Sequence, residues 1–156
     1  MRPMLGLLAA GIGLLSFQTI PQKQKSSAHP NPGNTQKQSS LTPLQASINR
    51  GQTVYLTQCL ACHQADGGGV PNMNPPLQGA KAVLGKDKAK LIWIVLRGMH
   101  GQDIDGEEYH NTMAPHPDLT DRQIADVLTY IRNNWGNKAI AVSAAEVKLV
   151  RAKLKP

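Results

Sequence analysis

Apolar residues recur at helical spacing in four stretches of the chain, separated by segments too polar or too rich in Gly and Pro for regular structure. Over 44–62, Ile48, Val54 and Tyr55 form one apolar face, with Gly51 inside it. Glycine in a helix costs up to about 1 kcal/mol relative to alanine and is tolerated best where another backbone comes close. Residues 64–80 carry Gly67, Gly68, Gly69, Pro71, Pro75 and Pro76, a density that no regular element survives. Asp87 caps a helix expected over 87–97, with Leu91, Ile92, Ile94, Val95 and Leu96 as its apolar residues and Gly98 as its stop. Trp93 is read as a packing residue, and 98–118 as a polar, Gly-containing loop. Thr120 and Gln123 then form a capping-box pair. Ile124, Val127, Leu128 and Ile131 follow on one face at spacings of three and four, and Gly136 is the expected end. A second capping box, Ser143 with Glu146, opens a basic amphipathic helix to about Leu154. Strand signals are weak, so the expected fold class is all-α.

The two N-terminal segments differ from this pattern. Residues 1–20 read as an export signal or N-terminal anchor: Arg2 supplies a positive end, and 5–17 is an apolar run. The run is shorter than the roughly 20 apolar residues of a membrane span. Ser16-Phe17-Gln18 is a mediocre cleavage match because glutamine is not small. Residues 21–43 are Pro, Gln, Lys, Ser and Asn with few apolar side chains, and read as a flexible linker that contains a solvated His29. The expected organisation is therefore 1–20, 21–43, a domain over 44–137 and a basic helical extension over 138–156.

The formal charge of +7 is concentrated in the ends. Residues 1–43 hold four basic residues and no acid, whereas 44–137 hold eight basic and nine acidic residues. No basic patch interleaves with aromatics, which argues against nucleic acid as a partner. The basic tail suits an acidic partner, a membrane surface or a solvated helix face. Aromatic content is only 4%, so a domain of this size has little aromatic bulk for its core.

Cys59-Leu-Ala-Cys62-His63 carries the candidate chemistry. Two thiols separated by two residues and followed at once by histidine are the attachment pattern of a c-type haem. On a helical turn both sulfurs reach the vinyl groups of one porphyrin, and the adjacent imidazole lies where it can ligate iron. A porphyrin also supplies the apolar disc that the aromatic-poor core lacks. The competing readings are a redox dithiol, a structural zinc site and a small disulfide loop. The first belongs to a βαβ context not readable here. The second needs His63 and a distant fourth ligand, and the third restrains little chain.

A carrier of electrons closes the second axial position of its haem, often with a methionine thioether. Met1 and Met4 fall in the leader, and Met73 follows His63 closely in the Pro-rich segment. Met113, in a loop before the strongest helix, has the best placement; Met99 and His100 are the alternatives. His110 and His116 read as surface residues.

Residues 51–137 resemble the class I, mono-haem cytochrome c family. The resemblance rests on Gly51-x-x-x-Tyr55-x-x-x-Cys59-x-x-Cys62-His63, then Gly69-Val70-Pro71, Pro75-Pro76-Leu77-x-Gly79 and Ile94-Val95-Leu96-Arg97-Gly98. It continues through Tyr109-x-x-x-Met113, Leu119-Thr120-Asp121 and Tyr130-Ile131-Arg132-Asn133-Asn134-Trp135-Gly136-Asn137. It implies helices wrapped around one covalent haem c, with His63 and Met113 on the iron. It implies that Gly51 and Tyr55 meet the terminal helix near Leu128 and Ile131, and that the Pro75 carbonyl accepts from His63. It also implies that Leu77 and Leu96 lie on or near the ring, and that Arg97, Tyr109 and Trp135 lie toward the propionates. Ala114 departs from the family pattern, in which proline directly follows the ligand methionine.

The expected function is electron transfer by an exported, periplasmic protein, with a redox protein as partner and no enzymatic activity of its own. The alternatives are a cytochrome subunit of a periplasmic dehydrogenase or oxidase, and an open-site haem protein that binds a small gas or peroxide.

Overall fold

The computed structural model describes residues 41–101 and 103–154. The expected leader, most of the expected linker and His29 lie outside the described residues. The described part is helical apart from one small hairpin. Its elements are α1 (Pro43–Gln58), α2 (Leu60–His63), α3 (Lys81–Leu84), α4 (Lys88–Arg97), β1 (Asp103–Ile104), β2 (Glu107–Glu108), α5 (Asp121–Ile131) and α6 (Ala144–Lys153). Among the described residues no helix is long and apolar enough to cross a membrane.

Local chemistry sets most boundaries. The Thr42 hydroxyl accepts from Gln45 N, and Pro43 occupies the first turn of α1, where its missing N–H is harmless. The Asp87 carboxylate accepts from Lys90 N at the start of α4. Thr120 and Gln123 close a capping box on α5, as Ser143 and Glu146 do on α6. Two expected boundaries shift. The first helix breaks at Cys59, whose φ of −121° is not helical, so the haem motif occupies its own turn, α2. The α5 helix ends at Ile131 rather than near Gly136, because Arg132 to Gly136 form turns in which Trp135 and Gly136 take positive φ.

The core is centred on α5, where Ile124, Val127 and Leu128 are almost fully buried. Burying one such side chain is worth roughly 1.5–3 kcal/mol. The α1 helix crosses α5 at Gly51: a Cβ there would lie 2.0 Å from the Asp126 carbonyl oxygen and 2.8 Å from the Tyr130 Cβ. The expected crossing is present, but at Asp126 and Tyr130 rather than at Leu128 and Ile131. Asp126 is on the same face, where Arg50 donates to both its oxygens at 2.6 and 2.9 Å and Ser47 donates at 2.6 Å. Tyr55 continues the seam, with its ring 5.3 Å from Tyr130 and 5.1 Å from Trp135.

The chain after α5 folds back onto the helices. Buried Arg132 donates to the carbonyls of Ile140, Val83 and Gly85, which ties α3 to the C-terminal segment. The α6 helix packs on α4 and α5 and buries Val147 completely. The Lys88 ammonium, at the start of α4, pairs with Glu146.

Candidate haem site

The α2 turn is held by its neighbours on both sides. Tyr55 Oη donates to the Gln64 carbonyl at 2.6 Å, and Trp135 Nε1 donates to Ala65 O at 2.9 Å. Downstream, Gly69 N donates to His63 O at 3.2 Å, and Leu77 N to Gly67 O at 2.7 Å. Gly69 takes φ +67°, and a Cβ on it would lie 2.3 Å from Asn74 O and 2.7 Å from Pro75 O. Only glycine lets that proline carbonyl approach so closely. Asn137 fixes the next segment, because its amide donates to Leu77 O and Ile131 O and accepts from Gly79 N.

The result is an oriented imidazole. His63 is buried, and its Nδ1 lies 3.1 Å from Pro75 O, as expected. A carbonyl can only accept, so Nδ1 carries the proton and Nε2 keeps its lone pair. Burial lowers the His63 pKa, and the Pro75 carbonyl partly opposes that shift. The ring is therefore a neutral donor at neutral pH. Cys59 is half-buried and its thiol is pushed up to about 11, first by burial and then by the proximity of Cys62. That is opposite to the lowered pKa of a reactive dithiol. Among the described residues no group of three or more His, Cys, Asp or Glu side chains is placed to hold a metal ion.

His63 and Cys59 line an apolar cavity of about 470 Å³. A ligand pocket typically measures roughly 300–1,000 Å³, so the space suits a large apolar group. Leu77 and Val83 line it, as do Leu91, Ile94 and Val95 from α4 and Leu128 and Ile131 from α5. A smaller cavity of about 160 Å³ shares Cys59, His63 and Pro75 with the first and adds Cys62, Asn74 and Tyr109. Met113 lines both. The residues fit a haem: the wall is apolar, one free thiol, Cys59, lies along it with the second, Cys62, on the adjoining smaller cavity, and a neutral imidazole and a thioether border the same space.

The expected site residues divide. Cys59, Cys62, His63, Pro75, Leu77, Tyr109 and Met113 border one or both cavities. Leu96 and Arg97 do not. The face of α4 toward the cavity is Leu91, Ile94 and Val95, at the i, i+3, i+4 spacing of one helical stripe, and the next two residues turn away from it. Leu96 is buried instead beside Pro115 and Leu154, and Arg97 is exposed. Trp135 packs on Tyr55 and Tyr130 and borders neither cavity. Tyr109 Oη donates to Glu107 at 2.8 Å.

Two residues gain importance. Met99 forms an isolated antiparallel bridge with Met113, with N···O distances of 3.1 and 2.8 Å, and also lines both cavities. Directly paired antiparallel residues share a face, so both thioethers belong to one wall. His116, read from sequence as a surface residue, is half-buried and borders both cavities, with its N–H on Val95 O at 2.9 Å.

The helical fold and the Cys59-x-x-Cys62-His63 turn at an apolar cleft define a c-type haem domain. The sequence model described as cytochrome c matches residues 48–135, and the chain belongs to the cytochrome c family, whose members are electron-carrying haem proteins. Cytochrome c-552 of Thermus thermophilus is 38% identical over 112 residues, covering 66% of this chain and 85% of that protein. The cytochrome c subunit of a quinone alcohol dehydrogenase from Gluconacetobacter polyoxogenes is 34% identical over 131 residues, covering 78% of this chain. A gluconate 2-dehydrogenase cytochrome c subunit from Pantoea cypripedii is 36% identical over 104 residues, or 65% of this chain. The matches span only 27% and 24% of those two subunits, so the chain corresponds to about a quarter of their length.

Proposed function

We propose that this protein carries one electron on a single c-type haem bound covalently through Cys59 and Cys62, with His63 and Met113 as axial ligands. The observation that carries this reading is that His63, oriented by Pro75, borders one apolar cavity together with Cys59 and Met113, with Cys62 on the smaller cavity beside it. When bound, the haem supplies a one-electron ferrous/ferric couple. The chain's residues set the conditions for it. The Pro75 carbonyl fixes the His63 tautomer and strengthens its Nε2 as a donor. A thioether ligand and an apolar, desolvated surround both favour the reduced, less charged iron and raise the potential. Leu77, Leu91 and Leu128 exclude water from the cleft. Cys62 is exposed, so the thioether edge is the route by which a partner exchanges electrons.

The partner in this reading is a periplasmic redox protein. Two of the relatives are cytochrome subunits of dehydrogenases, which supports a dehydrogenase as donor or as host complex. Export through residues 1–20 places the protein in the periplasm, free or tethered by an uncleaved leader. The test of the ligand set is the oxidised-state spectrum. The account expects the weak far-red sulfur-to-iron band in the wild type and its loss in Met113→Ala. A high-spin spectrum and ready carbon monoxide binding by the reduced wild type would instead support an open site.

A further inference from the structure

The C-terminal helix lies beyond the residues matched to the family, yet its end reaches the loop that bears Met113. Arg151, near the end of α6, makes three contacts there. Its Nε donates to the Asp121 carboxylate at 2.7 Å, and its two terminal nitrogens donate to Pro117 O at 2.8 Å and Leu119 O at 2.5 Å. Leu154 and Arg151 border the same hollow as Pro115 and Pro117. The loop is thus fastened at both ends. Met113 is bonded to Met99 and His116 N to Val95 O at its start, and the guanidinium holds 117–121 at its finish.

We propose that Arg151 is a positioning residue for Met113, and that α6 acts as a strap that sets how readily the methionine sulfur leaves the iron. The proposal rests on the Met113 reading above. Pro115 and Pro117 have no N–H with which to anchor this loop to a neighbour. Over 117–121 the loop is held through carbonyl and carboxylate acceptors. One planar fork with five donors serves three of them at once, which a lysine ammonium does not reproduce in the same geometry. Arg151 itself borders neither cavity, while Leu119, whose carbonyl it holds, lines the larger one; removing the fork raises the fraction of molecules in which the loop swings out. A ligand that binds only the loop-out form gains affinity in proportion to that fraction.

Imidazole is the probe, titrated into the oxidised haem-loaded protein and followed at the far-red band. Arg151→Gln is expected to bind imidazole about tenfold more tightly than the wild type, with Arg151→Lys between the two. Arg50→Gln breaks an ion pair at the α1–α5 seam and serves as the control for general loosening; it is expected to lower the melting temperature and leave imidazole affinity unchanged. Wild-type affinity in Arg151→Gln, or an equal gain in Arg50→Gln, overturns the proposal while the Met113 reading stands. Absence of the band in the wild type removes the Met113 reading, and this inference with it.

Discussion

Gly98 and Met113 touch through their backbones: a Cβ on Gly98 would lie 2.3 Å from the Met113 carbonyl oxygen. Gly98 also takes φ +73°, the left-handed conformation that ends α4 without steric cost only for glycine. The stop of one helix and the seat of the methionine loop are thus the same position. Gly98→Ala is expected to destabilise the fold by roughly 1–3 kcal/mol through backbone strain, and further through the clash. Because the clash falls on Met113, the far-red band should weaken at temperatures well below the melting transition. Chemical denaturation and absorption on one sample check both.

The proximal side has a matching glycine. Gly69→Ala places a methyl against Asn74 O and Pro75 O and forces the Pro75 carbonyl away from His63 Nδ1. A weaker acceptor makes the imidazole a poorer donor to ferric iron. The reduction potential is therefore expected to rise, and a redox titration reads the shift. A fall would show that the bond to Pro75 does not tune the ligand.

Acid should loosen the α1–α5 seam. Burial alone would raise the Asp126 pKa, but hydrogen bonds from Arg50 and Ser47 and the nearby Arg50 and Arg122 charges outweigh it, and the folded value lies below the usual carboxylate range. Its stabilisation is complete above the unfolded carboxylate pKa of about 4 and is lost as pH falls through the lower folded value. Melting temperature measured from pH 7 downward should therefore drop below about pH 4. In Asp126→Asn it should start lower at pH 7 and lose part of that acid limb. An unchanged acid limb would mean that Asp126 is not linked to folding.

Much of this architecture is legible in the sequence because it is written locally. Thr120 with Gln123, Ser143 with Glu146, and Asp87 mark helix starts by side chains that bond their own turns, and Gly98 marks a helix end by its positive φ. The haem motif is equally local. What escapes is set by contacts across the chain. The hairpin strands are Asp103–Ile104 and Glu107–Glu108, which show no apolar alternation. Their one signal is the Asp105-Gly106 turn, where both residues take positive φ. That hairpin lies between Met99 and Met113, whose backbones pair with each other, a juxtaposition that no spacing rule marks. Leu96 and Arg97, expected near the ring and the propionates from the family resemblance, border neither cavity. Helical periodicity says which residues share a face, while packing decides which face the cleft takes. His116 looks like a surface histidine until its N–H is seen on Val95 O.

The central claim is one haem held covalently by Cys59 and Cys62. Its most direct measurement is the intact mass and pyridine haemochrome of the denatured protein, produced in a host that attaches haem. The account predicts one haem per chain that survives denaturation, and its loss when Cys59 and Cys62 are both changed to serine. A denatured chain at its bare polypeptide mass, with no haemochrome, would contradict the account.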